Sequence, residues 1–274
     1  MLTILKDFVK SIQIFISFSF FIKDLNIFFI NRLTMEKPML FFNEGMKISG
    51  ILSEVEGSKD IVIFFHGFTG DKNEANNLFV EAENYFNRES VSTFRFDFRF
   101  SKTNYNKSES EGTIEEMLPS AWISDGLFIT RKIKQLFSKK KIHLVGLSMG
   151  GLVGIHVAVN ERVDSLVLWS AVIDSESLLS GSTEWIKNIM PKNYEAFIAD
   201  FVRNNPIKLY NKLTNTPILI VAGEKDVAVP ATQAEKFHKL LGKSKLVVIP
   251  EADHVFSTRK NELFEVTLNW IKGL

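Results

Sequence analysis

The residues that are best suited to take part in a chemical reaction lie at 146–150, where the sequence reads G-L-S-M-G. The apolar run Lys141–Val145 before them predicts a buried strand, and the small apolar residues of Leu152–Val159 predict a helix. A G-x-S-x-G sequence between a strand and a helix is typical of a strained turn that exposes a nucleophilic serine, here Ser148. Glycine is needed on both sides because a Cβ would collide with neighbouring backbone. The alternative is an ordinary glycine-rich turn, so the rest of the chain must supply a base.

A histidine that could activate this serine follows another predicted strand. His254 comes shortly after Leu246–Ile249, and Asp226 follows the predicted strand Ile218–Val221. A serine hydroxyl is a poor nucleophile at neutral pH and needs a base beside it. His254 would accept its proton and later pass it to the leaving group, while Asp226 would hold the imidazole in the correct tautomer. We therefore predict that Ser148, Asp226 and His254 form a catalytic triad.

Two other carboxylates compete with Asp226 for the role of the acid. Asp253 adjoins the histidine in the sequence, so its side chain should point away from the ring. Glu224 lies closer to the end of its strand than the turn position expected for the acid. We favour Asp226 over both.

Acyl transfer by a serine also requires N–H donors for the negative charge that develops on the substrate oxygen. Met149, the residue after the serine, would supply one such donor. The sequence H-G-F-T-G at 66–70 follows the apolar run Ile61–Phe65, which predicts a buried parallel strand. We expect the Phe68 N–H to be the second donor and His66 to brace the turn rather than titrate in catalysis.

The remaining histidines have structural explanations. His143 lies inside a predicted strand and His156 inside the helix after the serine, so we expect both to pack in the core. His238 lies on a predicted surface helix. The sequence contains neither cysteine nor an H-E-x-x-H, Walker A or G-x-G-x-x-G pattern. We therefore predict no metal site and no cofactor.

Strands and helices alternate along most of the chain. This alternation predicts an α/β fold with a mostly parallel central sheet flanked by helices, and active residues collect at the carboxyl ends of such strands. Ahead of it, Asn43–Gly45 between two apolar runs predicts a hairpin, and Asn73–Asn87 predicts a helix. Residues 171–205 break the alternation and show no strand periodicity.

The composition limits the classes of partner. The chain has 274 residues, 45% of them apolar, which is enough for one full α/β core. The net charge is +1 and residues 139–141 are the only basic run, so we expect no nucleic-acid partner. The absence of cysteine excludes disulfides and thiolate chemistry and fits a cytoplasmic protein, although it leaves the oligomeric state open.

Residues 1–34 differ from the rest of the chain. They are rich in Phe and Ile, and the uncharged run Ser11–Ile22 is too short to span a bilayer. No A-x-A cleavage site follows, because the first alanine is Ala75. We predict an extension of unknown role at 1–34, which could also reflect a misassigned start, and a hydrolase domain at 35–274. Membrane contact through the extension is an alternative that we do not favour.

Six motifs are spaced along the chain in a characteristic way: H-G-F-T-G at 66–70, F-D-F-R at 96–99, S-E-G at 110–112, the glycines of 146–151, G-E-K-D at 223–226 with Val229–Pro230, and Asp253–His254. Their positions resemble those of α/β-hydrolases of the serine aminopeptidase-like group, and within it the bacterial cinnamoyl/feruloyl esterases. The resemblance extends over roughly residues 40–274, and the segment 66–79 is its most characteristic part. It implies an α/β-hydrolase fold with a small lid insertion at about residues 171–205.

Two segments depart from this family's pattern. Where the family has a glycine-rich turn, residues 100–106 form a longer stretch without glycine, near the expected oxyanion turn. In the lid position, Trp185, Met190 and Tyr194, together with Phe197, could bind the acyl group of a substrate. The alternative is that these side chains only pack the lid onto the domain.

The sequence therefore predicts a serine esterase that cleaves a carboxylic ester of a small molecule through an acyl-enzyme, with a hydroxycinnamoyl or short-chain acyl group. Alternatives with the same triad are a monoacylglycerol lipase-like enzyme, an aminopeptidase or amidase, and a carbon–carbon bond hydrolase. A binding protein that kept the fold without catalysis is the alternative from another class.

Overall fold

A twisted sheet runs through the domain, and the computed structural model describes it within residues 35–180, 183–190 and 192–274. The predicted extension at 1–34 lies outside the described residues. Eight strands of the described residues form the sheet in the order β1-β2-β4-β3-β5-β6-β7-β8. The strands are β1 Met35–Asn43, β2 Met46–Glu54, β3 Asp60–Phe65, β4 Ser92–Phe96, β5 Lys141–Leu147, β6 Ser165–Trp169, β7 Ile218–Gly223 and β8 Lys245–Ile249.

The predicted hairpin and the predicted parallel sheet are both confirmed. Strands β1 and β2 pair antiparallel across a two-residue turn at Glu44 and Gly45, both of which have positive φ (52° and 81°). Strand β2 pairs antiparallel with β4, and all later neighbours pair in parallel. The carboxyl ends of β3 to β8 therefore meet at one edge of the sheet.

The central strands are apolar because both faces of the sheet are covered. Side chains alternate between faces, so Phe65 and Leu144 belong to one hydrophobic cluster while Phe64 and Val145 belong to the other. Helices cover each cluster. Their bounds are α1 Leu78–Arg88, α2 Pro119–Leu136, α3 Met149–Asn160, α4 Ser175–Leu179, α5 Glu184–Ile189, α6 Tyr194–Arg203, α7 Ala231–Leu241 and α8 Lys260–Lys272, with short 3-10 turns at Ala75–Asn77, Ile114–Glu116 and Pro206–Lys212.

The first helix begins later than the sequence predicts. We expected it to start at Asn73, but α1 begins at Leu78 after a short 3-10 turn. Three residues before it, Glu74, Asn76 and Asn77, have positive φ values of 61°, 53° and 57°. An α-helix cannot continue through this left-handed backbone, and the apolar periodicity carries no signal for it.

The segment predicted as a lid consists of short helices. Helices α4, α5 and α6 lie between β6 and β7 in the chain. Asp200 on α6 fastens this segment to the domain, because its carboxylate accepts a hydrogen bond of 2.7 Å from the N–H of Ser120 at the start of α2. No helix of the described residues is long and apolar enough to cross a bilayer.

Candidate active site

Ser148 lies in a strained turn between β5 and α3. Its φ and ψ are 53° and −119°, values that a residue with a side chain rarely adopts. A Cβ on Gly146 would overlap the carbonyl oxygen of Gly150, and a Cβ on Gly150 would overlap that of Phe65. The predicted need for glycine on both sides of the serine is therefore confirmed, and such a turn lifts the hydroxyl above the edge of the sheet.

Asp226 and His254 meet at the same edge. Asp226 Oδ2 lies 2.8 Å from Nδ1 of His254. The other oxygen of Asp226, Oδ1, accepts hydrogen bonds from the N–H groups of Ala228 (2.9 Å) and Val229 (2.8 Å). The carboxylate is fully buried, and as an acceptor it places the imidazole proton on Nδ1. The Nε2 atom of His254 is thereby left with a free lone pair, as a general base requires.

The two competing carboxylates have other partners. Asp253 Oδ1 accepts a hydrogen bond of 2.8 Å from the Ser257 N–H, and Glu224 Oε2 accepts one of 3.0 Å from the Glu251 N–H. Partial burial acts to raise the pKa of Asp253, but the hydrogen bonds from Ser257 and Val255 and the nearby His254 together outweigh it and lower that pKa. Of the three carboxylates, only Asp226 is hydrogen-bonded to the histidine ring in the described part of the chain.

The turn at 66–70 leaves two backbone N–H groups, those of Phe68 and Thr69, without a hydrogen-bond partner among the described residues. The Gly67 carbonyl accepts two hydrogen bonds, from His66 Nδ1 (2.9 Å) and from the Gly70 N–H (3.1 Å). The Phe68 N–H belongs to the same trans peptide unit and points the opposite way. It has no hydrogen-bond acceptor among the described residues.

The turn lies directly against the serine. A Cβ on Gly67 would come within 3.4 Å of Ser148 Cβ. Met149 is the first residue of α3, and the first N–H groups of a helix have no partner within the helix. Two backbone donors, those of Phe68 and Met149, therefore flank the serine.

His66 braces this turn, as predicted. Its Nε2 accepts a hydrogen bond of 3.1 Å from the Phe98 N–H, so the proton must be on Nδ1, where it is donated to the Gly67 carbonyl. The ring is fully buried. His66 is thus held in one neutral tautomer by backbone groups on both sides.

Two cavities share the serine and the histidine. The first, of about 430 Å³, lies under the lid helices and is called the lid cavity here; the second has about 410 Å³. Four residues line both cavities: Phe68, Thr69, Ser148 and His254. The lid cavity is mainly apolar, and its other lining residues are Met149, Val172, Leu178, Leu179, Thr183, Trp185, Ile186, Phe197, Phe201, Val227, Ala228 and Val229. The second cavity is more polar; its other lining residues are Gly67, Gly70, Asp71, Glu74, Ala75, Asn76, Tyr105, Asn106, Leu147 and Val255.

The lid residues predicted to bind substrate divide into two groups. Trp185 and Phe197 line the lid cavity, and both pack against the ring of Phe68, with centroids 5.7 and 5.5 Å away. Met190 and Tyr194 do not line it, so the proposed contact of these two with substrate is not supported. Met190 is fully buried in the core, and the Tyr194 hydroxyl lies behind the lining, 2.6 Å from Thr183 Oγ1.

The remaining histidines contribute nothing to this edge. His143 is buried as predicted and pairs with Ser165 Oγ (2.8 Å) and Asp60 Oδ1 (3.1 Å). His156 is only half-buried; its Nε2 lies 3.0 Å from the carbonyl oxygen of Asn204, just after α6, and burial lowers its pKa. Across the described residues, no group of three or more histidine and acidic side chains could hold a metal ion.

Sequence reasoning missed two side chains that hold the turn at 67–70. Glu74 Oε2 accepts a hydrogen bond of 2.6 Å from the Gly67 N–H, and Asn106 donates to the carbonyls of Thr69 and Gly70. The expected proximity of the 100–106 stretch to the turn is confirmed by these contacts. The only signal in the sequence was the absence of glycine in that stretch.

These features define the class of the protein. The α/β-hydrolase fold is a mostly parallel sheet with a strained serine turn after one strand and a paired aspartate and histidine after two later strands, and the described residues have this arrangement. A family model described as the prolyl oligopeptidase family matches residues 123–274, which is more than half of the chain. The chain belongs to this family, and it is therefore a serine hydrolase.

Solved structures of esterases share the fold. The chain superimposes on Est1E from Butyrivibrio proteoclasticus with bound ferulic acid with a TM-score of 0.75 and 24% identity, covering 86% of this chain and 98% of that one. It matches the Pyrococcus furiosus esterase Pf2001 with a TM-score of 0.69 and 20% identity, covering 87% and 91%. A Bacillus subtilis protein provisionally named 2-succinyl-6-hydroxy-2,4-cyclohexadiene-1-carboxylate synthase is 26% identical, over 48% of this chain and 67% of its own length. The predicted resemblance to the α/β-hydrolases is thereby confirmed.

Proposed function

We propose that this serine hydrolase cleaves carboxylic esters of small molecules through an acyl-enzyme intermediate. The observation that carries the proposal is the hydrogen bond of 2.8 Å between the buried Asp226 and His254, since His254 lines two cavities together with the strained Ser148. A binding protein without catalysis has no need for a buried carboxylate that fixes one tautomer of a partly exposed histidine.

In the first step, His254 Nε2 removes the proton of the Ser148 hydroxyl as its oxygen attacks the ester carbonyl. The carbonyl oxygen gains the negative charge, and the N–H groups of Phe68 and Met149 stabilise it. The histidine, now an imidazolium, is stabilised by Asp226 and donates its proton to the departing alcohol. The chemistry needs no metal or organic cofactor.

In the second step, a water molecule takes the place of the alcohol. His254 removes a proton from this water, which attacks the acyl carbonyl, and the same two N–H donors stabilise the second oxyanion. Collapse of this intermediate breaks the bond between the acyl carbon and Ser148 Oγ. The serine regains its proton from the histidine and the acid is released.

The two cavities suggest where each half of the substrate binds. The lid cavity is lined by Trp185, Phe197 and aliphatic side chains, so we assign the acyl group to it. Its volume of about 430 Å³ suits a short-chain or aromatic acyl group, which includes the hydroxycinnamoyl class. The presence of ferulic acid in the fold relative Est1E supports testing that class first. The alcohol then faces the more polar second cavity.

The family match favours a second candidate function. Membership in the prolyl oligopeptidase family is consistent with hydrolysis of a peptide or amide bond, which uses the same triad. An amide differs from an ester in its poorer leaving group, so the transfer of a proton from His254 to that group matters more.

A matched substrate panel separates the two functions. Ester and anilide pairs that share one acyl group, either butyryl or feruloyl, should be hydrolysed with a kcat/KM at least 100-fold higher for the ester. Ser148→Ala should lose on the order of 10⁴-fold or more of the activity. Equal or faster anilide cleavage would favour the peptidase. Absence of both activities, together with no labelling of folded protein by a fluorophosphonate, would contradict the proposal.

A further inference from the structure

The direction of the Phe68 N–H depends on a chain of hydrogen bonds through the turn at 67–70. The Gly67 carbonyl, in the same peptide unit as the Phe68 N–H, accepts a hydrogen bond of 3.1 Å from the Gly70 N–H. The Gly70 N–H shares its own planar peptide unit with the carbonyl of Thr69. Any group that fixes the Thr69 carbonyl therefore fixes the Gly70 N–H, and through it the peptide unit that carries the Phe68 N–H.

Asn106 is the side chain that holds the Thr69 carbonyl. Its Nδ2 atom lies within hydrogen-bond distance of three carbonyl oxygens, those of Thr69 (3.0 Å), Gly70 (2.8 Å) and Ser101 (2.7 Å). The amide has two N–H donors, so one of them is shared between two of these oxygens. Its Oδ1 accepts a hydrogen bond of 3.0 Å from the Thr103 N–H, which fixes the orientation of the amide. Asn106 also lines the polar cavity beside the serine.

The turn needs support of this kind because its backbone is strained. Thr69 is the third residue of the turn and has a φ of 64°, the sign that a type II turn requires at that position. Glycine is preferred there, since a side chain with positive φ is disfavoured. The bonds from Asn106 to the carbonyls of Thr69 and Gly70 help to hold the turn in this strained conformation.

The stretch that carries Asn106 is itself anchored beside the turn. The Lys107 N–H donates to Asp71 Oδ2 (2.8 Å), and the buried Lys72 ammonium bonds Asp97 and Glu109, each at 2.8 Å. Burial acts to lower the pKa of Lys72, but Asp97 and Glu109 outweigh it and raise that pKa, so the ammonium stays charged. The loop therefore presents Asn106 from a fixed base.

We propose that Asn106 is a positioning residue for the oxyanion donor, and this inference rests on the proposed serine mechanism. Its amide holds the Thr69–Gly70 peptide unit, which in turn holds the Gly67–Phe68 unit with the Phe68 N–H directed at the developing charge. Asn106 touches neither the serine nor the histidine. It acts on kcat through the orientation of one backbone donor.

Asn106→Asp is the sharpest test because it changes the amide NH₂ into an oxygen of nearly the same shape. The acceptor for the Thr103 N–H stays, while the donor to Thr69 and Gly70 is replaced by a negative charge that their carbonyls repel. Asn104→Asp is the matched control: it introduces the same charge on the same loop, at an exposed side chain. Asn106→Ala with Asn104→Ala repeats the comparison without charge.

We would measure kcat and KM on p-nitrophenyl butyrate, and the inhibition constant of a trifluoromethyl ketone whose hemiketal oxyanion mimics the intermediate. Loss of a single oxyanion donor costs about 10²–10³-fold in kcat. A displaced donor should cost at least about tenfold in kcat and in inhibitor affinity, with KM changed less than threefold. Melting temperatures report whether each variant is folded. If Asn106→Asp is not folded, the comparison of Asn106→Ala with Asn104→Ala tests the role of Asn106.

The outcomes are separable. Wild-type protein without esterase activity contradicts the proposed function itself. The role of Asn106 is overturned if the wild type is active and both Asn106 variants are folded with kcat values within threefold of those of their Asn104 controls. A rise in KM with unchanged kcat also overturns it, since that pattern indicates a substrate contact and not a positioned donor. Loss of kcat and inhibitor affinity together supports it.

Discussion

The hydrogen bonds of Asp226 allow the effect of one substitution to be worked out. In Asp226→Asn, the amide must place either its oxygen or its NH₂ group toward the N–H groups of Ala228 and Val229, which now donate to Oδ1 at 2.9 and 2.8 Å. Placing the oxygen there keeps both bonds but turns the NH₂ group toward His254. The NH₂ then donates to Nδ1, the imidazole proton moves to Nε2, and the histidine can no longer act as a base.

The magnitude follows from the cost of the opposite orientation. Turning the amide oxygen toward His254 restores the active tautomer but leaves two buried N–H groups facing an NH₂ group. Each unsatisfied donor costs about 1–3 kcal/mol, so the active arrangement is disfavoured by about 2–6 kcal/mol. The loss of the negative charge that stabilises the imidazolium adds to this. We expect kcat to fall by about 10³–10⁴-fold, or about 4–5.5 kcal/mol.

The assay is hydrolysis of p-nitrophenyl butyrate at saturating substrate and pH 7–8. Asp253→Asn is the matched control, because it removes the same charge from the residue adjoining the histidine, and we expect its kcat within threefold of wild type. Glu224→Gln should also be mild. The reasoning is refuted if Asp253→Asn is the most damaging of the three, or if folded Asp226→Asn keeps more than a tenth of the activity.

Three further predictions concern stability, acyl specificity and domain limits. Burial raises the pKa of Glu83 to about 7 against the opposing effect of Arg95. A carboxyl group whose pKa is raised by folding stabilises the fold at low pH, and this stabilisation is lost as the pH rises through 7. Glu83→Gln should therefore flatten the decline in melting temperature between pH 5 and 8, and an unchanged slope would exclude this carboxyl as the source of the decline. Trp185→Ala should raise KM for feruloyl esters about five- to tenfold but change acetyl esters less than twofold, since it removes aromatic contact from the lid cavity. A chain that starts at Met35 should fold and keep kcat/KM on a short ester within about threefold, under roughly 0.7 kcal/mol; insolubility or a larger loss would make 1–34 part of the domain.

The parts of the site that depend on local pattern were predictable from the sequence. The turn at 146–150 has a fixed glycine spacing because of its own backbone crowding, and Asp226 and His254 follow apolar runs of strand length. Parallel strands bring their carboxyl ends together whatever the intervening sequence, so these three residues could be placed at one edge without knowledge of contacts.

The remaining features depend on contacts between distant segments. The role of Asn106 arises from carbonyls more than thirty residues earlier in the chain, and no periodicity encodes such a bond. Met190 and Tyr194 have side chains of the type that often line an acyl pocket, but the packing of the lid turns them away from the cavity.

The division of the site into two cavities has a consequence for how such an enzyme diversifies. Apart from the four residues they share, the lid cavity is built by residues 149–229 and the polar cavity by 67–106, with Leu147 and Val255 beside them. Under the proposed assignment of the acyl group to the lid cavity, mutations in one stretch can change the preferred acid without altering the preferred alcohol, and the reverse. Adaptation to a new substrate can then proceed in two separate steps, as long as Met149, Asn106 and the residues shared by both cavities are kept.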